Sequence, residues 1–270
     1  MSDENTVVDV VRLLDANKTK PDVLGIDLIE DSKSGITPFM VVPDHYKVED
    51  MEQYLPAPVR IRQSVTLHDE ASFVSYVKEF QDDNSMVFAG LAAHGFKCVL
   101  DYHTKEAPER CTHTATYICS TTKEWDIWTG SDSRKMKQAE YANFIENNLP
   151  DIYRPDAAEM LEMITDISSK TAVNFQQKYD ISNGRTTLHF SESSAQGDIA
   201  LPNEFVLRFP VFKNGEAKEL HARQRVRIRD GELTLWYDLK QPHKVIESTF
   251  DEIVSSVAAQ LEMPILLGSL

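Results

Sequence analysis

Four arginines, Arg223, Arg225, Arg227 and Arg229, recur at every second position towards the C-terminal end of the chain. In a strand that period sends all four to one face, about 6.7 Å apart. Guanidinium forks hold phosphates and carboxylates bidentately, so such a ladder can grip a nucleic-acid backbone or the acidic surface of a protein partner. The competing role is internal to a sheet. Arg229 would pair across strands with Glu232, Arg223 would pair with Asp238, and Arg225 would stack on Trp236. Arg227, and Arg208 one strand away, are left with no evident acidic partner. A second constellation is Asp101, His103 and His113. One carboxylate and two imidazoles are the donors of an open metal site, provided that 101–103 is strand and His113 comes across from the next. The alternative is a carboxylate that merely orients an imidazole.

Other candidates for chemistry are weaker. No P-loop, GxSxG or HExxH motif occurs. Cys98 alternates with Phe96, Leu100 and Tyr102, a core pattern. The spacing of Cys111 and Cys119 matches no common metal motif. Ser191, Ser193 and Ser194 read as loop. Trp125, Trp128 and Tyr153 can stack bases, but Glu124 and Asp126 beside them would repel phosphates, so packing is the expected role.

The elements that must position these residues are most legible near the C-terminus. Asn214-Gly215 and Asp230-Gly231 are both two-residue hairpin signals flanked by alternating residues. They predict a three-stranded meander over 203–213, 216–229 and 232–240. Its second hairpin pairs Arg229 with Glu232, Arg227 with Thr234, Arg225 with Trp236 and Arg223 with Asp238. On the other face it pairs Ile228 with Leu233 and Val226 with Leu235. The first hairpin would pair Phe209 with Leu220 and Leu207 with Ala222. The apolar face then requires a cover, and a helix opening at Ser248 with the stripe Phe250, Ile253, Val254, Val257 and Leu261 supplies one. Met263–Leu267 is a last short strand.

Upstream, Val7, Val10, Val11 and Leu14 predict a helix over 6–16, followed by a polar extended arm to residue 37. Phe39–Val42 and Val59–His68 read as strands. Asp69 caps a helix carrying Phe73, Val74, Val77 and Phe80. Met86–Phe88, Phe96–His103 and His113–Ser120 read as strands, the last two paired. A helix is expected over 134–148, stopped by Pro150 and Pro155. Asp156 with Glu159 resembles a capping box for the next helix. Val173–Tyr179 and Thr186–Phe190 are strand-like. The result is an α+β fold whose antiparallel sheet includes the C-terminal meander, covered by helices. Residues 1–37 form the N-terminal helix and arm, and 38–270 form one α+β domain with a subdivision near 150–170 left open.

Composition narrows the function classes. The 270 residues carry 28 basic and 43 acidic side chains, a net charge of −15, which disfavours generic nucleic-acid or anionic-membrane binding. Only 10 glycines occur, so glycine-rich nucleotide loops are not the theme. Three cysteines, none in a CxxC pair, point to a reducing compartment. The acidic N-terminus lacks the apolar stretch of a signal peptide, and no apolar run reaches membrane-spanning length.

Several motifs resemble one family. They are Leu233–Leu239, Gln241–Val245 and Pro264–Ser269, with Val99–His103 and Gln138–Glu146 upstream. Over residues 38–270 the chain resembles the YfdQ-like family of uncharacterised phage and prophage proteins. That resemblance implies a phage or prophage product acting in the cytoplasm of the bacterial host, and it carries no catalytic residues. The leading expectation is a non-enzymatic protein, without cofactor, that self-associates into a homo-oligomer, even a larger closed assembly, as an accessory factor of the phage cycle. Partners would be other copies of itself, or a host or phage protein, with no membrane involved. One alternative is a nucleic-acid-handling accessory protein of phage replication or recombination that uses the arginine strand. The other is a metal-dependent hydrolase built on Asp101, His103 and His113.

Overall fold

Asp69 shows how the first part of the fold is set. In extended backbone, it accepts hydrogen bonds from the Ser72 amide at 2.8 Å and the Ser72 hydroxyl at 2.7 Å. The cap satisfies an orphan donor of the helix α1, Glu70–Phe80, which buries Phe73, Val74 and Val77. These face a five-stranded sheet built from β1 (Ser64–Leu67), β2 (Met86–Gly90), β3 (Gly95–Val99), β4 (Thr114–Ile118) and the C-terminal β13 (Ile265–Leu267). The strand order is β1-β4-β3-β2-β13, antiparallel in the middle and parallel at both edges. Strands at 59–68 and 96–103 are therefore shorter than expected. The computed structural model describes residues 56–169, 174–180, 185–192, 195–229 and 232–270. The expected helix at 6–16, the arm to 37 and the strand at 39–42 lie outside the described residues, as do Ser193, Ser194, Asp230 and Gly231.

The meander is the centre of a second, antiparallel sheet. Its strands are β10 (Glu204–Pro210), β11 (Ala217–Arg229) and β12 (Glu232–Leu239), extended at the edges by β5 (Met136–Lys137) and β6 (Ile152–Arg154) in the order β5-β12-β11-β10-β6. The second hairpin has the expected register, from Arg229 opposite Glu232 to Arg223 opposite Asp238. The first hairpin is slipped by two residues. Leu207 faces Leu220 and Phe205 faces Ala222, while Phe209 faces Lys218. The cause is a longer connection. Phe212 leaves the ladder to bridge Thr121, and the turn closes further on, where Gly215 donates to the Phe212 carbonyl at 3.1 Å beside Asn214 in left-handed backbone. A slip of two preserves the alternation of faces, so the predicted apolar face survives the correction.

Helices cover that face. Trp125 and Trp128 lie on α2 (Lys123–Gly130), capped by Thr122, and both are buried. The helix expected over 134–148 begins only at Gln138, as α3 (Gln138–Asn147), because Met136 is drawn into the edge of the sheet opposite Leu235. Asp156 caps α4 (Ala157–Ser169) through the Glu159 amide at 2.9 Å, as the capping box predicts. The C-terminal helix α5 (Pro242–Leu261) starts six residues before Ser248, on Pro242. Proline is suited to a first helical position because its missing N–H would be unpaired there. Phe250 on α5 meets Phe96 and Phe212, with ring centroids 5.5 and 6.4 Å away. A third antiparallel sheet, β7 (Asn174–Asp180), β8 (Arg185–Glu192) and β9 (Ala195–Pro202), includes one strand, β9, that periodicity did not reveal. Its β7 approaches β11 and β12. Ile61–Leu270 form one unit of this α+β fold. Among the described residues no helix is long and apolar enough to cross a membrane.

Candidate functional site

The strand β11 carries its side chains as the alternation requires. Leu220, Ala222 and Gln224 are buried, and Arg223, Arg227 and Arg229 are exposed on the opposite face. Gln224, a polar residue in this apolar row, accepts a hydrogen bond from the buried Tyr141 hydroxyl and donates weakly to the Trp236 carbonyl at 3.3 Å. It therefore ties α3 to the underside of the arginine strand.

On the outer face the ion pairs differ from the straight cross-strand scheme. Asp238 binds Arg225, its diagonal neighbour, with Nε donating at 2.7 Å, and not Arg223 directly opposite. Its other oxygen accepts from the Ser133 hydroxyl at 3.0 Å. Partial burial pushes the Asp238 carboxyl up, but the bonds from Arg225 and Ser133 outweigh it and hold the group below the usual range. Arg223 turns instead towards Glu204 on β10, at 3.6 Å, where Lys240 also binds at 2.7 Å. Lys240 is the main cause of the lowered Glu204 carboxyl, with Arg223 adding to it. Arg223 has Glu204 directly opposite it on β10, and a diagonal partner, although farther than a direct one, is within reach of a side chain as long as that of Arg225, which accounts for the exchange. The cation over the Trp236 ring is Lys135, 5.8 Å from its centroid, while Arg225 is committed to Asp238.

Arg208 does lie on this same outer face, exposed, opposite Glu219. Glu219, however, pairs with Arg154 of β6 at 2.8 Å. The Arg208 guanidinium rests instead against the ring of Tyr153, 5.0 Å from its centroid, and Arg154 lies at the same distance from that ring. Tyr153 is 45% exposed, so it departs from the packing role expected of the three aromatics, which Trp125 and Trp128 fulfil. Arg154, Glu219 and Lys135 were not singled out by sequence. Their spacing relative to the arginine strand becomes visible only once β6 and the segment before β5 are placed at the two edges of the sheet. Arg227, opposite Thr234, has no ion pair or ring contact among the described residues.

Asp101, His103 and His113 do not converge. Strand β3 ends at Val99, so the alternation that would align 101 with 103 has already stopped. Asp101 closes the following loop, accepting from the Thr112 amide at 2.8 Å and the His113 amide at 2.9 Å. The His113 ring turns inward to meet the Tyr76 hydroxyl at 2.9 Å and the edge of Phe80. His103 accepts from the Glu109 amide and lies 3.5 Å from the Cys111 sulfur. Among the described residues no group of three or more His, Cys, Asp and Glu is placed to hold a metal ion. Cys98 is buried as expected, and burial pushes its thiol up to about 12.

Asp101 offers a direct check. Burial raises its carboxyl, but the amides of His113 and Thr112 outweigh this and leave it lowered. A lowered folded-state pKa adds stability above the unfolded value and loses it as pH falls through the folded one. Asp101→Ala should therefore cost about 1 kcal/mol at neutral pH, the scale of a partly exposed charged hydrogen bond. In thermal denaturation the gap from the parent should close below about pH 4. Added zinc or manganese should leave it unchanged.

This outer face belongs to an α+β protein without a matched catalytic pattern. The chain is a member of an uncharacterized conserved protein family, DUF2303, whose family model matches residues 15–270. The match begins well before residue 38, so much of the expected N-terminal arm belongs to the family region and not outside it. No curated protein and no solved structure matches the chain.

Proposed function

We propose that this chain is a non-enzymatic, self-associating protein whose contact surface is the outer face of the central meander, and that it serves as an accessory factor of the phage cycle in the bacterial cytoplasm. The observation that carries self-association is the state of that face. Exposed arginines and two accessible aromatics, Trp236 and Tyr153, sit together on a chain whose net charge is −15. Arginine, tryptophan and tyrosine are the side chains that interface centres favour, and the acidic remainder of another copy is the complementary surface. The phage setting is supported by the YfdQ-like motifs at Leu233–Leu239 and Pro264–Ser269.

The test is association measured by size-exclusion chromatography with light scattering over a wide range of concentration. The parent should exceed the monomer mass of 30.7 kDa. Arg225→Ala with Arg227→Ala should remain folded, because the apolar face is untouched, yet lose association, since truncating a charged interface anchor costs about 2–5 kcal/mol. A parent that stays monomeric throughout would remove this reading.

A nucleic-acid track is the second reading. The ladder of arginines with Tyr153 and Trp236 favours it, and the net charge opposes it. It predicts binding of single-stranded DNA that weakens steeply with salt. Absence of binding in dilute salt would end it.

A further inference from the structure

Three carboxylates of the outer face are already engaged, and the fourth, Glu232, stands directly opposite Arg229. Glu204 holds Lys240 and Arg223, Glu219 holds Arg154, and Asp238 holds Arg225. Two guanidiniums remain without a carboxylate among the described residues, Arg208 and Arg227. Arg208 is not a freely waving side chain. Its ladder neighbour Glu219 is pulled away by Arg154, and the Tyr153 ring holds its planar fork in place. Ordering of that kind lowers the cost of binding, because less side-chain freedom remains to be lost.

The spacing suits an interface. Arg208 is level with Glu219 on β11, eight residues from Arg227. At the rise of a strand this separates the two forks by about 27 Å. A standard interface of about 800 Å² per partner is a disc roughly 32 Å across. The two unpaired guanidiniums thus stand near opposite rims of one contact patch.

A surplus of cations has a consequence for symmetry. A two-fold dimer would lay this face on its own copy, and each unpaired arginine would meet a surface already short of carboxylates. Two-fold contacts require a self-complementary patch, whereas head-to-tail contacts join two different patches and build rings or filaments. We infer that copies of this chain join head to tail, Arg208 and Arg227 on the outer face of one copy each taking a carboxylate from a different, acidic surface of the next. This rests on the self-association reading above and adds the polarity of the contact. The chain's composition, 43 acidic against 28 basic side chains, is what such a second surface would draw on.

Sedimentation velocity on the full chain tests the inference, with Arg208→Gln/Arg227→Gln as the variant and circular dichroism to confirm its fold. The parent should form species larger than two copies. The variant should require at least tenfold more protein to assemble. It retains its acidic surface, so an excess of variant mixed into the parent should cap each parent copy and drive the mean size towards two. Raising salt should dissociate the parent and change the variant little. A parent whose mass saturates at two copies overturns the head-to-tail contact while leaving self-association intact. A folded variant that assembles like the parent removes these arginines from the interface, again without touching the broader reading. A parent that is monomeric at every concentration overturns both. Should the glutamine variant fail to fold, Arg208→Lys/Arg227→Lys, which keeps the charge but loses the planar fork, is expected to weaken assembly in the same direction.

Discussion

Trp128→Ala should produce the largest loss of stability of any single change on the covered side of the meander. Trp128 is fully buried on α2 and packs on Phe144, Phe205 and Tyr237, with ring centroids 5.1 to 5.9 Å away. Its carbonyl accepts the Tyr237 hydroxyl at 2.7 Å, and its indole N–H donates to Asp151 at 2.8 Å. Truncating a buried aromatic costs about 3–5 kcal/mol, out of a total near 5–15 kcal/mol. For a chain of this size that lowers Tm by roughly 6–20 °C. Thermal denaturation reads it directly, and a loss below about 1 kcal/mol would contradict the packing described.

Asp151 makes the same site informative about pH. Burial raises its carboxyl, and the bond from Trp128 only partly offsets this. For an acid with a raised folded-state pKa, stability is complete below the unfolded value near 3.9 and declines as pH rises through the folded value. Asp151→Asn keeps an acceptor for the indole and removes the charge. At neutral pH it should be at least as stable as the parent, and the advantage should vanish under acid conditions. In Trp128→Phe the indole N–H is gone, so Asp151→Asn should be more beneficial there than in the parent.

The second large effect tests the slipped hairpin. Leu207 and Leu220 are both fully enclosed and directly opposite. Leu207→Ala and Leu220→Ala should each cost about 2–5 kcal/mol. Combined, they should couple by about 0.5–3 kcal/mol, since contacting residues are not additive. Phe209→Ala with Leu220→Ala should be closer to additive, because Phe209 faces Lys218. Denaturant titrations of the three single and two double variants distinguish the registers. Strong coupling between Phe209 and Leu220, with none between Leu207 and Leu220, would restore the tight two-residue turn.

What sequence alone determined is concentrated where local chemistry leaves one solution. Asp69 and Asp156 announce their helices because a carboxylate three residues before an amide is a local interaction. The second hairpin is legible because the alternation of β11 and β12 runs on both sides of Asp230-Gly231 and admits a single register at full burial. Four features required the tertiary structure. Asn214-Gly215 failed as a two-residue turn because Phe212 gains more by bridging to Thr121 and packing on Phe250 than by staying in the ladder. Met136 left its helix for an edge strand because Leu235 offered it a buried partner. The Asp101, His103 and His113 constellation dissolved because the backbone amides at the end of the loop between β3 and β4 claimed the carboxylate. Arg208 was visible from sequence as a candidate, but its placement on Tyr153 was not. Which of two arginines wins Glu219 depends on a strand, β6, that lies more than fifty residues away and pairs with β10 only in the folded chain. Local signals fix faces and caps, and competition among distant partners for the same carboxylate or the same buried space is decided only when the sheets are assembled.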